Sequence, residues 1–99
     1  GQTIGGNPNL GNQFGYSIDL SGNGNRIAVG NYNSDFVETY DFGLGGWKRS
    51  FLERAPIVTD VCLSEDGNIL AFGTDVGAEV YDVVKYKKIH FDNLFSKED

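Results

Sequence analysis

The 99-residue chain carries a formal charge of -6, so it forms one domain at most and its field repels a phosphate backbone; nucleic acid is not an expected partner. Hydrophobic residues at 39% and an aromatic share of 13% supply enough rigid apolar mass to exclude wholesale disorder. Fourteen glycines and two prolines spread among short apolar runs fit tight turns between strands, and the expected fold class is all-β.

In chain order, Gly1 to Ile4 reads as the last piece of an outer strand from a preceding unit, and a Gly/Asn/Pro loop follows, so 1–13 stands apart. Strand 1 is expected over about Phe14 to Leu20, with Ile18 and Leu20 on one face, and the turn Ser21 to Asn25 leads into strand 2, Arg26 to Gly30. That turn is rich in Gly and Asn, which tolerate the positive φ of a tight hairpin. Strand 2 is a nearly continuous apolar run, as expected of an inner strand covered on both faces. After the loop holding Asn31, Tyr32, Asn33 and Asp35 come strand 3, Phe36 to Phe42, and strand 4, Trp47 to Leu52. Strand 4 alternates bulky and basic residues, which suits an outer strand blunted by charge.

The same series then repeats: Val58 to Leu63, Asn68 to Gly73, Ala78 to Val83 and Tyr86 to Phe91. Leu20, Ser21, Gly24, Asn25, Ala28 and Gly30 recur without gaps as Leu63, Ser64, Gly67, Asn68, Ala71 and Gly73. Tyr40-Asp41 recurs as Tyr81-Asp82, and Trp47-Lys48-Arg49 is matched by Tyr86-Lys87-Lys88. The unit of about 40 residues is the length of one propeller blade. The chain therefore divides into 1–13, a first unit 14–52, a second unit 53–91 and a polar tail 92–99, with burial expected to fall from strand 1 to strand 4.

Phe14-Gly-Tyr-Ser-Ile-Asp-Leu-Ser, followed by Val37-Glu-Thr-Tyr-Asp-Phe and Gly46-Trp-Lys, resembles the propeller repeats related to the Phe-Gly/Gly-Ala-Pro family. The second unit, with Leu63-Ser-Glu-Asp-Gly-Asn and Val80-Tyr-Asp, resembles a WD40-type blade, with Tyr81-Asp82 where that family has Trp-Asp. The resemblance implies two four-stranded antiparallel blades. Two blades do not close a propeller, for which four to eight are typical, so the expectation is a partial propeller completed by oligomerisation or by further chain. Relatives of the integrin type bind calcium in an Asp-x-Asp-x-Asp-Gly loop between the first two strands, but both equivalent turns hold too few carboxylates.

Little chemistry competes with this reading. Cys62 excludes an internal disulfide and a paired-Cys metal site, and its apolar run marks it as a small buried core residue. His90, the one histidine, falls in an outer strand with no nucleophile beside it. The turn glycines do not follow a strand and open a helix, so they cradle no phosphate. No apolar run reaches the roughly 18 residues of a membrane span, so membrane insertion is not expected, and no cofactor, metal or enzymatic role is implied. Ligand or partner contact is assigned to Asn31, Tyr32, Asn33, Asp35 and Trp47, where aromatics and amides sit together. The expected function is a non-catalytic structural or protein-interaction module that self-associates or joins further blades. A ring-forming, lectin-like glycan binder and a component of a virion or cell-surface assembly stand as alternatives, and Tyr32 is the residue on which the glycan reading rests.

Overall fold

A computed structural model describes residues 17–31, 36–55 and 57–89 of the chain. The expected strand at Gly1 to Ile4, the start of strand 1, Tyr32, Asn33, Asp35, His90 and the tail lie outside these residues. Eight strands run β1 Ser17–Leu20, β2 Arg26–Gly30, β3 Phe36–Gly43, β4 Gly46–Arg54, β5 Val58–Leu63, β6 Ile69–Thr74, β7 Ala78–Asp82 and β8 Lys87–Ile89. They form two four-stranded antiparallel sheets, β1-β2-β3-β4 and β5-β6-β7-β8, each a simple meander, with no helix among the described residues.

The repeat is reproduced hydrogen bond by hydrogen bond in the turns that close β1–β2 and β5–β6. In the first, Ser21 Oγ donates to Asn23 Oδ1, Asn25 N donates to the same oxygen, and Arg26 N donates to Ser21 Oγ. In the second, Ser64, Asp66, Asn68 and Ile69 make the same three bonds. Gly24 and Gly67 both stand at φ 78°, a left-handed conformation that glycine adopts at no steric cost. One side-chain oxygen thus satisfies two local donors, and the hairpin follows from a five-residue sequence.

Cross-strand register decides which face each residue shows. The row Asp19, Ala28, Thr39, Phe51 lies on the first sheet's inner face, and the row Leu63, Leu70, Tyr81, Lys88 starts on the second sheet's inner face. These faces pack together around Ala28, Val37, Phe51, Val58, Val61, Leu70, Phe72 and Tyr81. Phe51, Leu70, Val37 and Val58 are fully buried, and each such side chain contributes about 1.5–3 kcal/mol. Aromatic rings continue the contact outward: Phe51 lies 5.5 Å from Tyr81 and 4.5 Å from Tyr86, centroid to centroid.

Three expectations are corrected. Cys62 is exposed, because β5 alternates and its neighbours Val61 and Leu63 take the inward positions. Burial does not fall steadily from strand 1 to strand 4: β1 carries the exposed Ile18 and Leu20, while β4 carries the buried Phe51. The strand expected to open at Asn68 begins at Ile69, since the Asn68 N–H is used inside the turn.

Candidate interaction surface

Of the residues expected to make partner contacts, Asn31 and Trp47 lie among the described residues, and they stand at opposite ends of the first sheet. Asn31, at the end of β2, is buried, and its Nδ2 donates to Phe36 O and to Glu38 Oε2, each at 3.3 Å. It therefore ties the residue after β2 to β3. Its Oδ1 is buried and without a hydrogen-bond partner. Trp47 lies at the far end of the same sheet, opposite Phe42 and edge-on to its ring at 5.3 Å. Six residue steps along β3, from Phe36 to Phe42, separate the two ends, about 20 Å at a strand's rise per residue.

Beside Asn31, Tyr40 Oη donates to Glu38 Oε1 at 2.5 Å, and Arg49 approaches the same carboxylate at 4.0 Å. Burial first, then the bond to Glu38, pushes the Tyr40 hydroxyl up to about 12. The pair recurs: Tyr81 Oη donates to Glu79 Oε1 at 3.4 Å, and burial together with Glu53 and Glu79 pushes Tyr81 up to about 12. Neither tyrosine is poised to lose a proton near neutral pH.

A polar knot ties the two sheets at the turn end. Arg26 donates to both carboxylate oxygens of Asp41, Nε at 2.6 Å and Nη2 at 2.8 Å, while Nη1 reaches Gly67 O at 2.8 Å in the second turn. The bidentate pair holds the Asp41 carboxyl below its usual range and raises Arg26. Ser50, at the β3–β4 bulge, donates to the same carboxylate. With Asn23, Asn25, Phe42, Asp66 and Asn68 this pair lines an open cleft of about 170 Å³. Its charges are already spent on each other, which suits a structural tie. Asp82, at the corresponding position, instead accepts from Val84 N and Lys85 N and shapes its own turn. Among the described residues no group of three His, Cys, Asp or Glu side chains is placed to hold a metal ion.

What remains is the pair of outer sheet faces. On the first sheet Ile18, Leu20 and Phe42 are 61%, 53% and 57% exposed, although Val29 on the same face is buried. On the second sheet the outer row is Cys62, Ala71, Val80, Ile89, and a shallow groove of about 270 Å³ is floored there by Cys62, Ala71, Gly73 and Ala78. The sequence already signalled this surface: small residues recur at one face as Ala28/Ala71 and Gly30/Gly73, a pattern that goes with close approach of another sheet.

No family model matches the chain, and no curated protein matches it. Among solved structures, KlHsv2 in a form whose loop 6CD is replaced by a Gly-Ser linker aligns with a TM-score of 0.60 at 16% identity, over 80% of this chain and 25% of that one. The chain thus spans about a quarter of that protein's length, and a likeness at this identity speaks to the fold alone.

Proposed function

We propose that the chain is a non-catalytic structural or protein-interaction module made of two propeller-type blades, whose working state buries its outer sheet faces against further sheets. The carrying observation is that both ends of the two-sheet stack present apolar side chains, exposed Ile18, Leu20 and Phe42 at one end and the Cys62 to Ile89 row at the other. A soluble chain gains about 25 cal/mol for each Å² of such surface removed from water. The alignment with KlHsv2 is consistent with the reading in one respect: the two sheets match about a quarter of a longer chain, as a part of a larger multi-sheet fold would. Among the described residues, Arg26 and Asp41 have their charges spent on each other and Tyr40 and Tyr81 stay protonated near neutral pH, so these four supply no acid/base group there.

Native mass by light scattering, with unfolding followed over a range of chain concentrations, tests this reading. Expected are a mass above one chain and a midpoint that rises with concentration. A single-chain mass with cooperative, concentration-independent unfolding overturns it.

A further inference from the structure

We propose that the occupant of each outer face is a second copy of this chain, docked head to tail: the β1–β3 face of one copy on the β5–β7 face of the next. This rests on the reading of the chain as an interaction module and adds the partner, the surfaces and their orientation.

The two free faces are the repeat equivalents of the two halves of the interface already inside the chain. The turns and strand registers equate Asp19, Ala28, Thr39 and Phe51, the row on which the second sheet is seated, with Cys62, Ala71, Val80 and Ile89, the second sheet's outer row. Likewise Val61, Leu63, Tyr81 and Val83, buried against the first sheet, correspond to Ile18, Leu20, Tyr40 and Phe42 on the first sheet's outer face. One outer face is thus a second example of the receiving surface and the other a second example of the inserted surface. Neither is a copy of itself, so the contact is heterologous, and repeated it gives a ring or an open array according to whether its rotation closes.

Specific neighbours follow. Inside the chain Asp19 Oδ2 accepts from Leu63 N at 2.6 Å, so Cys62 of one copy comes against Leu20 of the next. Tyr86, which bonds Leu52 and lies tilted against Phe51, corresponds to Trp47, which is thereby placed near Ile89 of the preceding copy. Gly30 lets Val58 and Val61 approach closely. Gly73, its equivalent, has only Thr59 Oγ1 near the position of an added Cβ, leaving that approach open.

A mixing experiment with two full-length variants tests the pairing. Leu20→Arg blocks one face and Ala78→Arg the other; both positions are exposed, and each variant is first checked for cooperative unfolding. Expected are two single-chain masses apart and a doubled mass on mixing, because the mixture holds one intact pair of unlike faces. Self-association of either variant alone, or no doubling on mixing while the unaltered chain assembles, overturns the head-to-tail pairing and leaves the interaction reading standing. A single-chain mass for the unaltered chain overturns both.

Should an arginine prevent folding, Leu20→Cys gives a second readout. Diamide, which takes up the two electrons and two protons released, should join its new thiol to Cys62 of the neighbour in chain multiples, and Cys62→Ser should abolish the ladder. The two sites lie on opposite outer faces of a stack whose sheets are about 10 Å apart, beyond the reach of a disulfide within one chain. Cross-links confined to Cys62–Cys62 pairs overturn the proposal.

Discussion

Gly30 and Gly73 occupy the same place in the two units, yet an alanine should be costly at one and tolerated at the other. A Cβ at Gly30 would lie 2.5 Å from Ser17 Oγ, 2.7 Å from Val58 Cγ1 and 3.0 Å from Val61 Cγ1. Ordinary carbon contacts begin near 3.5 Å, and Val58 is fully buried, so the valines have nowhere to turn and the sheets must separate. Overpacking of this kind costs about 1–3 kcal/mol, offset by about 0.4–1 kcal/mol from the stiffer unfolded chain. At Gly73 the nearest atom is Thr59 Oγ1 at 3.2 Å, on an exposed residue that can yield. The unfolded-chain offset is common to both variants and cancels, so Gly30→Ala should be less stable than Gly73→Ala by about 1–3 kcal/mol, roughly 1–2 M in urea midpoint for a chain with an m-value of about 1–1.5 kcal/mol/M. Urea titrations at a concentration too low for assembly measure the difference. Equal midpoints at unchanged m would refute the close sheet contact at Gly30.

Other outcomes follow from the same contacts. Asp41 is held low mainly by its bond to Arg26, so the stability it contributes is present above the usual aspartate value of about 3.9 and is lost as pH falls through its lower folded value; acid titration of Asp41→Asn should show a shallower loss below pH ~4. Tyr40 and Tyr81 are raised from 10.0 to about 12, so their contribution is complete below pH 10 and disappears as pH rises toward 12; Tyr81→Phe should flatten alkaline unfolding followed by circular dichroism, and an unchanged profile would count against the assignment. Tyr86→Phe removes the bonds between its hydroxyl and the Leu52 backbone and should cost about 0.5–1.5 kcal/mol in urea. Cys62→Asp restores at the free face the carboxylate that Asp19 supplies inside the chain, and sedimentation should show several-fold tighter assembly; weaker assembly at moderate salt would refute the equivalence of the two rows.

The strands and turns were legible because each is encoded within a few residues. Ser-Gly-Asn-Gly-Asn and Ser-Glu-Asp-Gly-Asn build the same turn from their own side chains, and β2 and β5 begin and end at the expected residues. Face assignment in β4 was not legible. Trp47, Arg49 and Phe51 share a period of two, but the register shift at the β3–β4 bulge turns Phe51 inward while Trp47 and Arg49 stay on the other face. Cys62 was misplaced because Val61-Cys62-Leu63 reads as an unbroken apolar run when only its alternate members face the core. Asn31 belongs by composition to a polar loop, and its bond to Glu38 is what satisfies it on burial; the Glu38–Tyr40 and Glu79–Tyr81 recurrence is a spacing of two along a strand that composition does not mark. The outer faces needed both registers before they could be matched.

The inequality of the two units gives the interfaces a hierarchy. Within the chain, apolar packing is reinforced by polar ties that cross between the sheets: Asp19 to Leu63 N, Arg26 to Gly67 O, Gly22 N to Glu65 O, and Tyr86 to Leu52. Two of these have no successor at the free face, since Cys62 stands at the place of Asp19 and Ile69 at the place of Arg26. Directional hydrogen bonds fix the internal arrangement, whereas a contact between copies leans on apolar burial, which is non-directional and has little enthalpy near room temperature. It also works against a charge of -6 on each chain, a repulsion that salt screens over a Debye length of about 8 Å at 0.15 M. The fold of one chain should consequently be less sensitive to ionic strength than its assembly, so the two-sheet unit forms first and joining follows when the charge is screened.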